Sequence, residues 1–201
     1  MKRLSWKYVA GLIDGEGCID LQITYHKDYP GRPYISPRLR VSMAEAAKPV
    51  LEIFNANFGG GLSKRPRKFD NPNWQDAWEW SLHGKSLRPV LQNLVNHLIV
   101  KKEQAKLLIW MIDNLMGKHI PDRVRERLKE EMKAMKRDPH RLSEAAVIEL
   151  EMMIDAMTED EVRASVKLCK GCGKRMQRHA KTEYHSSCKN ITDAIVGLTV
   201  G

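Results

Sequence analysis

Asp14 and Glu16 stand on either side of Gly15 at the end of an apolar run, YVAGLI, that begins at Tyr8. Carboxylates two residues apart, beside a backbone carbonyl, are the hard oxygen donors that a Mg²⁺ ion takes. The run from about Trp6 to Asp14, N-capped by Ser5, reads as a helix that stops at Gly15 and Gly17. A helix C-terminus carries about half a negative charge, so acids placed there cost stability unless a cation answers them. A second constellation lies far along the chain. Cys169-x₂-Cys172 is followed, after twelve residues, by His185-x₂-Cys188. Two such pairs suit the tetrahedral thiolate and imidazole coordination of a structural Zn²⁺. His179 is the competing imidazole, and Cys18 stands apart from the set.

These groups need elements to hold them. From Cys18 the apolar period changes to two: Ile19, Leu21, Ile23 and Tyr25 share one face, and Cys18, Asp20, Gln22, Thr24 and His26 the other. After KDYPGRP a second strand, YISPRLRVSM, puts Ile35, Leu39 and Val41 on one side and Ser36, Arg38 and Arg40 on the opposite one. Pro37 predicts a sheet edge or a bulge. A helix from about Ala46 to Asn57, a Trp-rich hairpin and two further helices reaching Met116 complete an αββαββα(α) order, an α+β fold class. Past Pro121 the chain turns to charged amphipathic helices, DRVRERLKEEMKAMK and SEAAVIELEMMIDAM, and then to the Cys/His segment. The organisation expected is three parts: 1–117, a helical extension or connector at 118–164, and a small zinc-binding module at 165–201.

The chain has 201 residues and a net charge of +9, which favours a polyanionic partner. From Val166 to Lys189 seven Lys or Arg face one acid, Glu183, so much of that excess sits in the Cys/His segment. A basic module of that size, with Lys174, Arg175 and Arg178 beside the cysteines, is expected to touch nucleic-acid phosphates. No apolar run approaches the roughly 18 residues that a membrane span needs, so no membrane partner is expected. A cytosolic (cytoplasmic) chain is expected, in which cysteines mean metal or free thiol before disulfide.

With these residues in view, VAGLIDGEG resembles the motif of the LAGLIDADG homing endonucleases, differing chiefly at Val9, Gly15 and Glu16. The αββαββα order after it matches the family's fold unit. The resemblance implies a site-specific double-stranded DNA endonuclease that hydrolyses phosphodiesters with Mg²⁺ across a minor groove. It implies Glu16 as the metal-binding catalytic acid, assisted by the carbonyl of Gly15. Asp14 takes the place of the motif's inner acid, orienting or capping. Ala10, Gly11 and Gly15 would line a helix pair between two copies. Lys101, with Lys102 as the alternative, matches a basic residue near the reaction centre. Met43 replaces a polar residue that members often carry, leaving Ser42 or Glu45 to substitute.

The resemblance further implies that the strands lie in the major groove. Asp20, Gln22, Thr24, His26, Tyr34, Ser36, Arg38 and Arg40 then face DNA, joined by Lys64, Arg65 and Arg67 from the hairpin. Gln and Arg are the side chains that read A and G edges bidentately. LIWMIDNLMG and MMIDAMTED are faint second copies of the motif without strands after them. One motif implies a homodimer on a near-palindromic target. Two rivals share the scaffold: an intron RNA maturase, for which RNA is the partner, and a non-cleaving DNA-binding regulator.

Overall fold

A computed structural model describes residues 4–26, 29–66, 76–116 and 120–158. Helix α1, Trp6–Glu16, opens where the Ser5 hydroxyl accepts the Tyr8 N–H at 3.3 Å. Val9, Ala10 and Ile13 are its buried stripe. The helix runs two residues beyond the expected stop, through Gly15 and Glu16, and strand β1, Gly17–His26, starts at the next residue. Gly17 makes that junction. A Cβ there would stand 2.7 Å from the Ile13 carbonyl oxygen and 2.8 Å from Ile13 Cα.

Strand β2, Tyr29–Ala44, pairs antiparallel with β1 from Gly17–Val41 outward. A 3₁₀ turn leads to α2, Lys48–Phe58. Strands β3, Gly61–Arg65, and β4, Ala77–His83, complete a four-stranded antiparallel sheet in the order β1-β2-β4-β3. The expectation that Pro37 marks a sheet edge or bulge is corrected, because β2 is interior and its pairing runs regularly through Pro37–Leu21. The proline is tolerated because pairing with β4 begins one residue later, at Arg38–His83, so Pro37 has a strand on one side only.

Helices α3, Leu87–Leu94, and α4, Lys102–Asn114, close the apolar side of the sheet. Ile19, Leu39, Val41 and Trp80 look toward them and are fully buried. Phe54 of α2 meets the Trp80 ring edge-on at 5.3 Å. Helices α5, Asp122–Arg137, and α6, Ser143–Asp155, pack on α4. Their Val124, Leu128, Met132, Met135, Ala146 and Leu150 join the same core as the sheet. Within the stretch read as a helical extension or connector, residues 120–158 thus share the core of the preceding unit. Glu131, fully buried, is held by Arg141 at 2.7 and 2.8 Å and by Arg127. No helix among the described residues is long and apolar enough to cross a membrane.

Candidate nucleic-acid interface and metal centre

The end of α1 is built around two side chains that arrive from 87 residues apart in sequence. Asp14 Oδ1 accepts the backbone N–H of Lys101 at 3.0 Å, and its Oδ2 that of Ile99 at 2.7 Å. The same Lys101 sends its ammonium back to the helix. Its Nζ donates to the Ile13 carbonyl at 2.9 Å and to the Asp14 carbonyl. A lysine thus answers the negative helix end, where α1 has no basic residue of its own. Burial pushes the Lys101 ammonium below the ordinary lysine range, against the opposing pull of Asp14, Cys18 and Glu16. Glu16 is different. It is exposed, and among the described residues no hydrogen bond or ion pair engages its carboxylate.

The sheet surface facing away from the helices carries a charge ladder. Register places Cys18, Arg40 and Ser81 in one rung, Asp20, Arg38 and His83 in the next, and Ser42, Glu79 and Ser63 in another. Arg38 grips the Asp20 carboxylate with two bonds, 2.8 and 2.9 Å. Arg40 lies 3.4 Å from both Asp20 and Glu79. Glu79 also accepts from Arg65 and, at 3.1 Å, from the Ser42 hydroxyl. Burial pushes both carboxyls up, but the combined guanidinium contacts outweigh it. Arg38, Arg40 and Lys136 hold Asp20 below the usual carboxylate range, and Arg65, Ser42 and Arg40 do the same for Glu79. His83, partly covered and beside Arg38, is pushed below the ordinary imidazole value.

Several expected contacts are repositioned. Gln22, Thr24, Tyr34, Arg38, Arg40 and Arg65 lie on this face and reach solvent, whereas Asp20 and Ser36 lie on it but are 8% exposed each. Lys64 belongs to the other face. It opposes Trp78 in register and its ammonium reaches Asp76 at 2.8 Å, so it is removed from the ladder. Ala10 is fully buried in its own chain, which takes it out of the exposed stripe; Gly11 and Gly15 stay exposed. A Cβ on either glycine would meet nothing within 4 Å. Met43 packs against the core, Ser42 bonds Glu79, and Glu45 accepts the Trp78 indole N–H at 2.8 Å.

Sequence reasoning missed Glu79, Ser81 and His83. The alternation W-E-W in β4 was the available signal, since it turns Trp78 and Trp80 inward and Glu79 outward. The His26 side chain, Arg67, Lys174, Arg175, Arg178, and the Cys169, Cys172, His179, His185 and Cys188 set lie outside the described residues. Among the described residues no group of three or more His, Cys, Asp or Glu converges on a metal-sized space.

Comparison with known proteins bears on this geometry. In I-CvuI, a homing endonuclease solved in complex with the I-CreI target in 2 mM Mg with the DNA not cleaved, the superposition covers 76% of this chain and 96% of that one. The TM-score is 0.54 at 25% identity. The fold is that of the LAGLIDADG homing endonucleases. A second structure of I-CvuI, with its own target in 2 mM Ca, superposes with a TM-score of 0.52 at 24% identity, again over 76% of this chain and 96% of that one. The archaeal intron-encoded homing endonuclease I-Vdi141I, complexed with DNA, shares the homing-endonuclease fold, with a TM-score of 0.50 at 20% identity, over 73% of this chain and 96% of that one. In sequence, the DNA endonuclease I-CvuI of Chlorella vulgaris is 26% identical over 113 residues. That match takes in 56% of this chain and spans 66% of the relative. No protein-family model matches the chain.

Proposed function

We propose that this chain is a site-specific double-stranded DNA endonuclease that works as a homodimer on a near-palindromic target. The observation that carries the reading is the Glu16 carboxylate, unengaged among the described residues and exposed where the helix end meets a sheet face rich in guanidinium groups. A divalent cation fits there. The donors are hard oxygens, Glu16 and the Gly15 carbonyl, and Mg²⁺ is commonly held by one or two carboxylates together with substrate phosphates. One chain among its described residues offers no fuller ligand set, which suits an ion completed by the substrate. When bound, such an ion supplies charge neutralisation at the reacting phosphate.

The chain's own residues do the rest. Asp14 fixes the approach of α4 to α1 through the Ile99 and Lys101 amides, and Lys101 places a positive charge two to three residues from Glu16. Arg38, Arg40 and Arg65 present donors to base edges or phosphates, oriented by Asp20 and Glu79. Gly11 and Gly15 leave α1 open to close approach by a second α1, with Ile99, 85% exposed, bonded to the same helix end. Dimerisation through that stripe brings two Glu16 side chains to one target. The Cys/His segment is read as a zinc-stapled module extending the footprint. I-CvuI and I-Vdi141I, both solved with DNA, support the partner class.

The test is a cleavage selection on a randomised duplex pool with Mg²⁺, with Glu16→Gln beside the wild type. Cuts at a near-palindromic site that vanish in Glu16→Gln are the expected result. A bound sequence recovered without cuts moves the assignment to a regulator, and cuts that survive Glu16→Gln displace Glu16 from the centre.

A further inference from the structure

Lys136 stands in the last turn of α5, in the helical extension and not on the sheet. Its Nζ nevertheless rests 3.6 Å from Cys18 Sγ, at the second residue of β1. A thiol is a weak acceptor for an ammonium. Among the described residues no carboxylate pairs with Lys136, whereas Arg127 and Lys129 earlier in α5 are engaged by Glu131, Glu149 and Glu126. The three arginines of the sheet ladder are likewise each in an ion pair, with Asp20 or Glu79. Lys136 acts on the ladder through the pull it exerts on Asp20, yet among the described residues its ammonium is in salt-bridge contact with no carboxylate and keeps donors open.

It lines a cleft of about 270 Å³ with Gly17, Cys18, Lys101 and Gln104. Gln104 is 4% exposed, donates to the Met135 carbonyl at 3.3 Å, and leaves its Oε1 without a hydrogen-bond partner. A buried acceptor left open costs stability and is usually met by solvent or ligand. The cleft is therefore lined by two lysines together with Gln104 and its unpartnered Oε1. Lys101, at the residue before α4, has its ammonium held by the α1 carbonyls, and Lys136 comes from α5. Two of the cleft's lining residues, Gly17 and Cys18, follow Glu16 directly in sequence.

Resting on the nuclease reading above, we infer that this cleft is a phosphate subsite in which Lys136 anchors a backbone phosphodiester of the DNA strand passing over Gly17 and Cys18. Helix α5 is then part of the cutting apparatus as well as its support. A phosphate anchor carries no sequence information, so its removal weakens all duplexes alike.

The experiment uses the full chain and the duplex that the wild type recovers from a randomised pool, with Ca²⁺ replacing Mg²⁺. Lys136→Gln is expected to weaken binding about tenfold on the recovered duplex and on a scrambled one. It should also lower the slope of log affinity against log salt by about one. Lys136→Arg retains the slope. Lys129→Gln, which removes the same charge from a lysine already paired with Glu126, leaves affinity and slope unchanged. An unchanged slope in Lys136→Gln, or an equal fall in Lys129→Gln, overturns the inference. A wild type that recovers no duplex removes the nuclease reading and this one together. A wild type that cuts, while Lys136→Gln keeps its slope, removes this one alone.

Discussion

Asp20 and Glu79 on the sheet face sit among three arginines and a serine, largely covered, every oxygen answered from within the chain. At the end of α1 the chain treats its acids unequally: Asp14 is consumed by two backbone amides, and Glu16, two residues on, is exposed and, among the described residues, has no hydrogen bond or ion pair. The ladder shows what this protein does with a carboxylate that serves structure. Set beside it, Glu16 reads as a charge whose partner comes from outside. Removing acids from the two regions should therefore damage different properties.

The sharpest break in the comparison is Glu16→Gln. Cutting of the selected duplex should fall by about a thousandfold, while stability is unchanged or rises by up to about 0.5 kcal/mol, since an acid leaves a helix C-terminus. Paired cleavage assays and urea unfolding read both; a stability loss comparable to the activity loss would make Glu16 structural. Asp14→Ala should behave in the opposite sense. Two backbone donors lose their acceptor, at roughly 1–3 kcal/mol, and the unfolding midpoint drops whether or not DNA is present. The smallest effect belongs to the ladder. Asp20 and Glu79 ionise below their ordinary values of 3.8 and 4.5 in the folded chain. The stability they contribute is present above about pH 4.5 and drains away as pH falls through their folded values. In Asp20→Asn with Glu79→Gln that acid-side slope should flatten, as followed by urea midpoints between pH 3 and 6; an unaltered slope would separate the ladder from acid stability.

Much of the frame was legible because it is local. The period-two pattern placed the faces of β1 and β2 correctly, and the apolar stripe of α1 was plain except at its end. What escaped depends on partners distant in sequence. The helix continues through Gly15 and Glu16 where Lys101, far downstream, meets its carbonyls. Lys64 and Arg65 are neighbours of like charge, and only the pairing of Lys64 with Trp78 sends them to opposite sides. Ala10 and Gly11 differ by one helical step, about 100°, which is enough to bury one and expose the other. The charged helices at 122–155 read as an extension or connector by composition, which gave no sign that Glu131, Met132 and Met135 are buried.

The absence of any loop between α1 and β1 sets a scale for the whole molecule. Because Gly17 lets the strand leave the helix directly, Glu16 and the side chains of β1 are marks on one ruler. A strand laid along a groove advances about 3.3 Å per residue against 3.4 Å per base pair. Under the proposed function, the offset between a base that is read and a bond that is cut becomes a matter of counting residues. An insertion at that junction would shift the whole recognition sequence relative to the cut, not blur it.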